Sequence, residues 1–281
     1  MNKIYASTNC LKSPKNVLKV LDEYEKVNIE NVELSSVHSY FDTRKLKDYN
    51  FNFIIHNYFP PPKDPFNFNL ASSDMIIRGK SINLAKNAIN LCTNLNSHLY
   101  TFHAGFTIDP KKLGVAFDRS NINDRKKSFK NFIEGVLEII EYAKKTDVKI
   151  AFEPNVVQEF NLINGKNDLL LLAKYDEIEK FYTFTSEKEI GILLDLGHTA
   201  VTSTWLKFDK NDFVNKCANK VSAIHISNND GLVDQHNSLT QNCWALSKLK
   251  FFKGKFIVLE TMNLTIEQIL SNINLVKKTL N

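Results

Sequence analysis

Residues 190–198 read IGILLDLGH, an apolar run that ends in a carboxylate with a histidine three residues further on. Continuous apolar runs of this length mark strands buried on both faces, and such strands occur mainly in parallel sheets covered by helices. A carboxylate at the C-terminal end of such a strand is poorly placed for packing. Asp195 and His198 therefore read as members of a metal centre, and the rest of the chain is expected to be a ring of strands that delivers further ligands to it.

On both sides of this strand, strand-like and helix-like segments alternate. Residues 3–8 (KIYAST), 31–36 (NVELSS), 52–56 (NFIIH), 99–103 (LYTFH) and 149–153 (KIAFE) precede it as strands, and 221–226 (VSAIHI) and 255–260 (KFIVLE) follow it. Apolar residues at helical spacing predict helices over 14–27, 73–95 with Ser73 or Asp74 as the cap, 123–145, from Asp168 onward, 209–218, around 242–249 and over 266–280. Residues 38–50 leave little room for a helix and read as a short irregular loop. The four prolines of YFPPPKDPFNFNL, residues 58–70, exclude both helix and central strand and predict a rigid surface loop. Uninterrupted alternation without a linker argues for one α/β domain over residues 1–281. Eight repeats favour a closed (β/α)8 TIM barrel over the doubly wound sheet that the same alternation also allows.

Composition narrows the setting. The 281 residues, 43% hydrophobic and 24% charged, suit an ordinary globular protein with a large core. The start MNKIYASTNC lacks the apolar segment of a secretory signal and no run approaches transmembrane length, so a cytoplasmic protein without membrane contacts is expected. Cys10, Cys92, Cys217 and Cys243 form no CxxC pair, which argues against a zinc ribbon or a disulfide framework. A net charge of +5 permits a phosphate-bearing substrate without requiring one.

From the third strand onward, the strands end in His56, His103, Glu153, Asp195, His225 and Glu260. In a parallel barrel all these ends lie on one face, so six residues distant in sequence converge there. His198, Asp234 and His236 stand in the loops just beyond, Asp234 and His236 two apart so that an extended loop turns both to one side. Each residue alone is weak evidence, since a lone histidine is more often a hydrogen-bonded structural group and a lone carboxylate a cap or a lysine partner. The joint pattern is different, because four carboxylates crowded together are costly without cations between them. Carboxylates and imidazoles without thiolate suit zinc first, with manganese or Fe(II) as alternatives, and nine candidate ligands imply two to three divalent ions per chain. Arg44, Asn57, Tyr58 and Phe106, in loops at the same face, are candidate substrate contacts.

The ordered set of His56 in IIHN, His103 in TFHAG, Glu153 in AFEPN, Asp195 and His198 in LDLGH, His225 in IHISNNDG, Asp234 and His236 in DQHNSL, and Glu260 in VLET resembles endonuclease IV, the apurinic-site endonuclease of the xylose-isomerase-like barrel superfamily. The likeness runs from residue 52 through most of the chain. It implies that His56, His103 and Glu153 hold one ion, that Glu153 bridges to a second held by Asp195, His225 and Glu260, and that His198, Asp234 and His236 hold a third. Such a cluster activates water and neutralises a phosphodiester during in-line attack. The chain departs from the family in three places: a short connection between the second and third strands with Arg44 its sole arginine, the prolines of YFPPPKDP, and NSLTQN in place of a glycine-rich tail. These departures leave DNA as one candidate substrate beside a small phosphorylated or sugar-containing molecule.

Three functions follow. The first is a multinuclear metal hydrolase acting on a phosphoester, abasic-site cleavage being one version. The second is a sugar isomerase or epimerase with one divalent metal on Asp195 and His225, in which Glu153 and Glu260 serve as general acid and base. The third is a metal-stabilised binding protein, disfavoured because so dense a ligand set leaves open coordination positions.

Overall fold

Eight strands pair in sequence order, and the last closes on the first: β1 (Ile4–Ser7), β2 (Asn31–Leu34), β3 (Asn52–His56), β4 (Leu99–His103), β5 (Lys149–Glu153), β6 (Gly191–Asp195), β7 (Val221–Ile226) and β8 (Phe256–Leu259). All eight pairings are parallel. This is the closed (β/α)8 barrel, seen in a computed structural model that describes residues 3–13 and 15–281. The expected helix start at Pro14 lies outside the described residues, as do Met1 and Asn2 of the N-terminal stretch.

The barrel sorts its side chains by the two-residue period of a strand. Tyr5, Ile54, Leu99, Ala151, Leu193, Ala223 and Val258 form a separate apolar cluster, while Val32, Leu34, Ile55, Phe152, Ile192, Leu194 and Ile224 belong to the larger core packed with the helices. The small cluster is the filling of the barrel itself. Two residues beyond its members, on the same inward face, stand His56, Glu153, Asp195, His225 and Glu260. The strands thus present apolar packing at one end and ligand-type side chains at the other.

The helices are α1 (Val17–Lys26), α2 (Met75–Asn94), α3 (Arg125–Ala143), α4 (Tyr175–Phe181), α5 (Leu196–Leu206), α6 (Lys210–Cys217), α7 (Trp244–Lys248) and α8 (Ile266–Leu280). Asp74, not Ser73, caps α2, its Oδ1 accepting from the Ile76 N–H at 2.7 Å. The irregular stretch before β3 contains one short 3-10 turn, Thr43–Asp48. Among the described residues, no helix is long and apolar enough to cross a membrane.

Two helices differ from the expectation. The segment from Asp168 is not helical before Tyr175: the Asn167 side chain pins a turn through the Leu170 N–H and C=O, and Leu171 N–H bonds to Gly105 C=O. Leu169–Leu172 are instead buried beside the mouth of the barrel. Conversely, α5 begins at Leu196, directly after β6, so His198 stands in the first turn of a helix and not in a loop. Its sequence, LGHTAVTSTWL, is poor in strong helix formers and its first eight residues are all buried, which removes any amphipathic period.

Asp195 starts this helix. Its Oδ1 accepts the His198 backbone N–H at 2.8 Å, a cap that winds the chain so tightly that the His198 ring returns over the strand end. Gly197 makes the turn fit, because a Cβ there would lie 2.5 Å from Ser227 Oγ and 3.1 Å from Asp195 Oδ1. Ser227 Oγ is buried without a hydrogen-bond partner, so its loss is cheap. Gly197→Ala is therefore expected to cost about 1–3 kcal/mol in urea denaturation, with partial recovery in the Gly197→Ala/Ser227→Ala double variant. Wild-type stability in the single variant would contradict this close packing.

Candidate metal centre

Glu153, at the end of β5, is fully buried and is the hub of the barrel mouth. Its Oε2 lies 3.5 Å from His56 Nε2 and 3.3 Å from His103 Nδ1, and its Oε1 lies 2.8 Å from His198 Nδ1. On the far side of His198, Nε2 stands 3.2 Å from Asp234 Oδ2 and 3.6 Å from Asp195 Oδ2. His236 Nε2 reaches the same Asp234 oxygen at 3.1 Å. His225 Nδ1 is 2.8 Å from Glu260 Oε2 and 4.0 Å from Asp195 Oδ2. All nine expected ligands therefore lie in one continuous cluster.

Within it, ligand atoms come within 4.8 Å of one another in five overlapping sets: three that share no residue, His56, His103 and Glu153; Asp195, His225 and Glu260; and His198, Asp234 and His236; and two that draw on the same residues, Glu153, Asp195 and His198, and Glu33, His56 and His225. Two ligands of a tetrahedral ion with bonds of about 2.0–2.1 Å sit about 3.3 Å apart. The separations of 3.5 and 3.3 Å around Glu153 and of 3.2 and 3.1 Å around Asp234 fit that edge. Glu153 Oε1 and Oε2, Asp195 Oδ2, His198 Nδ1, His225 Nδ1 and Asp234 Oδ1 are buried without an aligned hydrogen-bond partner. Such orphans are expensive in a finished core and natural around a cation. The donor chemistry fits divalent ions in all three sets, and the spacing does so around Glu153 and Asp234, while His225 Nδ1 stands at 2.8 and 4.0 Å from its two carboxylates.

Neighbouring groups aim the ligands. Thr101 Oγ1 stands 2.8 Å from His56 Nδ1, leaving Nε2 toward Glu153. The Glu260 backbone carbonyl lies 2.9 Å from His236 Nδ1, leaving Nε2 toward Asp234. Gln158 Oε1 accepts the Asp234 backbone N–H at 3.0 Å. The loop carrying Asp234 and His236 is not extended throughout: His236 has φ of 48°, a left-handed turn that bends its ring back toward Asp234.

Protons stand in for cations when the centre is metal-free. Burial pulls His56 down to about 3, and it lowers His103 as well. Burial also opposes charge on His236, but the hydrogen bond and charge of Asp234 outweigh it and hold this ring at about 9. His198, beside Asp195 and Asp234, and His225, beside Glu260 and Glu33, are likewise held well up against their burial. Burial raises Asp195 to about 6. Burial pushes Glu153 the same way, but the charges of His103 and His198 overcome it and bring this carboxyl down to about 2.

A cavity of about 200 Å³ opens onto the cluster and is bordered by His56, His103, His198, Asp234, His236 and Glu260. Of the expected substrate contacts, only Phe106 lines it. Arg44 is exposed and forked onto Asp42, Nη2 to Oδ2 at 2.6 Å. The Tyr58 hydroxyl accepts the Phe66 N–H at 2.6 Å, and its ring packs against Phe66. Asn57 is buried at a left-handed turn directly after His56. Glu33, which is not among the nine expected ligands, also joins the cluster: it is 1% exposed, with Oε2 2.7 Å from His225 Nε2. The signal was present: Val32 and Leu34 face the helices, so Glu33 between them must face the barrel axis.

No curated protein matches the sequence. Among solved structures, the chain resembles a D-tagatose 3-epimerase-like protein, with TM-score 0.74 at 17% identity over 99% of this chain and 97% of that one. It also resembles an AP endonuclease, family 2, from Brucella melitensis, with TM-score 0.65 at 15% identity over 95% and 96% of the two chains. A third likeness is to a Thermus thermophilus protein soaked with zinc chloride, with TM-score 0.63 at 14% identity over 99% and 96%. At these identities the likenesses speak for the fold alone. The sequence profile of one family matches residues 43–273, and by that match the chain belongs to the xylose isomerase-like TIM barrel family.

Proposed function

We propose that the protein is a metal-dependent hydrolase of phosphoesters that works with three divalent ions, zinc being the first choice on ligand type. The observation that carries this reading is that three of the five overlapping ligand sets take up all nine side chains with none used twice. Ions held there supply Lewis acidity toward phosphoryl oxygens and lower the pKa of water. Glu153 spans two sets, one oxygen facing His56 and His103 and the other His198, so it fixes their spacing. Asp195 Oδ1 is committed to the helix cap, which leaves Oδ2 as its single ligand atom and sets its direction.

A second reading, a one-metal sugar isomerase or epimerase with Glu153 and Glu260 as acid and base, is favoured by the cavity wall. That wall carries Asn9, Asn155 and Gln158 beside Phe106 and Phe117, with no lysine or arginine among its described residues. Amides and aromatic faces suit a neutral polyol better than a long polyanion. The same wall makes a small phosphoester a better substrate for the hydrolase than a DNA duplex, whose backbone would meet no lysine or arginine among the described residues of the cavity. The one-metal reading leaves His56, His103, His198, Asp234 and His236 without a task.

Elemental analysis of purified protein is expected to give close to three equivalents of metal, accompanied by turnover of a phosphodiester such as bis(p-nitrophenyl) phosphate. One equivalent, together with solvent deuterium entering a ketose, would favour the isomerase. Asp195→Ala should abolish turnover under either reading. His198→Ala should abolish it only in a three-ion enzyme, and near-normal rates in that variant would exclude the third ion from the reaction.

Metal uptake must displace protons from His198, His225 and His236. Since His236 titrates at about 9 in the metal-free chain, uptake at pH 7.5 should release protons, and affinity should climb as the pH rises toward that value. Calorimetry in buffers of different ionisation enthalpy measures both effects. Uptake at pH 6 as tight as at pH 8 would contradict the assignment of these rings as ligands.

A further inference from the structure

Glu33 is the carboxylate of the cluster to which hydrolysis gives no role. It comes from β2, faces the barrel axis, and approaches His225 from the side opposite Glu260. Its Oε2 is 2.7 Å from His225 Nε2, with hydrogen-bond geometry. The other ring nitrogen, Nδ1, faces Glu260 Oε2 at 2.8 Å and Asp195 Oδ2 at 4.0 Å. A neutral imidazole carries one N–H, and the nitrogen that binds a cation must be the bare one. An acceptor fixed at Nε2 therefore decides which nitrogen is offered at Nδ1.

We propose that Glu33 is a positioning residue: by accepting the Nε2 proton of His225 it holds the ring in the tautomer and orientation that present Nδ1 to a divalent ion shared with Asp195 and Glu260. This rests on the metal reading above. Stability does not explain Glu33. Its Oε1 is buried with no hydrogen-bond partner, and a half-satisfied buried carboxylate costs more than an apolar side chain of similar size. Nor does the ring need Glu33 for packing, since His56 lies edge-on to His225 with centroids 4.8 Å apart. What Glu33 adds is a direction for one proton. Carboxylates that accept from the second nitrogen of a ligating histidine raise its basicity as well as orient it, and their loss typically weakens metal affinity by about 10–100-fold.

The test compares wild type, Glu33→Gln and Glu33→Leu, each stripped with chelator and titrated with zinc and with Co(II) against a chromophoric competitor. Glu33→Leu should keep two tight equivalents and weaken the site of Asp195, His225 and Glu260 by about 10–100-fold, with a changed Co(II) absorption band. Glu33→Gln, whose amide oxygen still accepts the Nε2 proton, should restore most of that site. Wild-type affinity at all sites in Glu33→Leu would overturn the proposal, as would a Glu33→Gln variant no better than Glu33→Leu. If Glu33→Leu fails to fold, Glu33→Asp takes its place. Its carboxylate stops one methylene short of Nε2, and undiminished affinity at the site of Asp195, His225 and Glu260 there would equally overturn the assignment. A wild-type protein that takes up no metal would instead sink the metal reading itself, so the two failures are distinguishable.

Discussion

Everything at the mouth of the barrel is arranged around the repulsion of buried carboxylates. Glu33, Glu153, Asp195 and Glu260 are at most 5% exposed, and Asp234 joins them with its side chain at 12%. Two such charges about 4 Å apart repel by about 4 kcal/mol at the effective dielectric of a protein near its surface. Five in one cavity would drive one another neutral or force the loops apart. Interleaving five imidazoles relieves this in the metal-free chain, with protons on His198, His225 and His236 carrying the balancing charge. Divalent ions would do the same work with more charge per site and would satisfy the orphaned ligand atoms as well. The described wall of the cavity carries no lysine or arginine, so no ammonium or guanidinium competes for this role.

The barrel makes such a cluster affordable. Apolar side chains from seven strands fill the lower interior, and a single two-residue step along each strand separates that filling from the ligands. The stability of the fold therefore lies below and around the centre, where apolar burial dominates. The mouth can carry strain, such as the left-handed backbone at His236, without threatening the framework.

Much of this was legible in the sequence because strand ends and ligand types coincide. The runs ending in His56, His103, Glu153, Asp195 and His225 are short, apolar and bounded by turn residues, so both their structure and their convergence could be read from period and position. What could not be read depended on tertiary context. Helix α5 is buried on all sides of its first turns and has no periodic signature, so the position of His198 on a helix emerges only from the Asp195 cap. The leucines at 169–172 have helix-forming composition, but the Asn167 turn and the bond to Gly105 hold them against the barrel mouth. Arg44 reads as a phosphate contact until the neighbouring Asp42 is seen to occupy its guanidinium. Glu33 lies on the second strand, outside the run of strand ends that starts at His56, although its place between Val32 and Leu34 marks it as inward-facing.

The central claim, that this mouth holds three ions and not one, is tested most directly by diffraction data collected at the absorption edge of the bound metal. The account predicts three anomalous peaks: one among His56, His103 and Glu153, one among Asp195, His225 and Glu260, and one among His198, Asp234 and His236. A single peak between Glu153, Asp195, His225 and Glu260, with the remaining histidines bound only to water or to carboxylates, would contradict it.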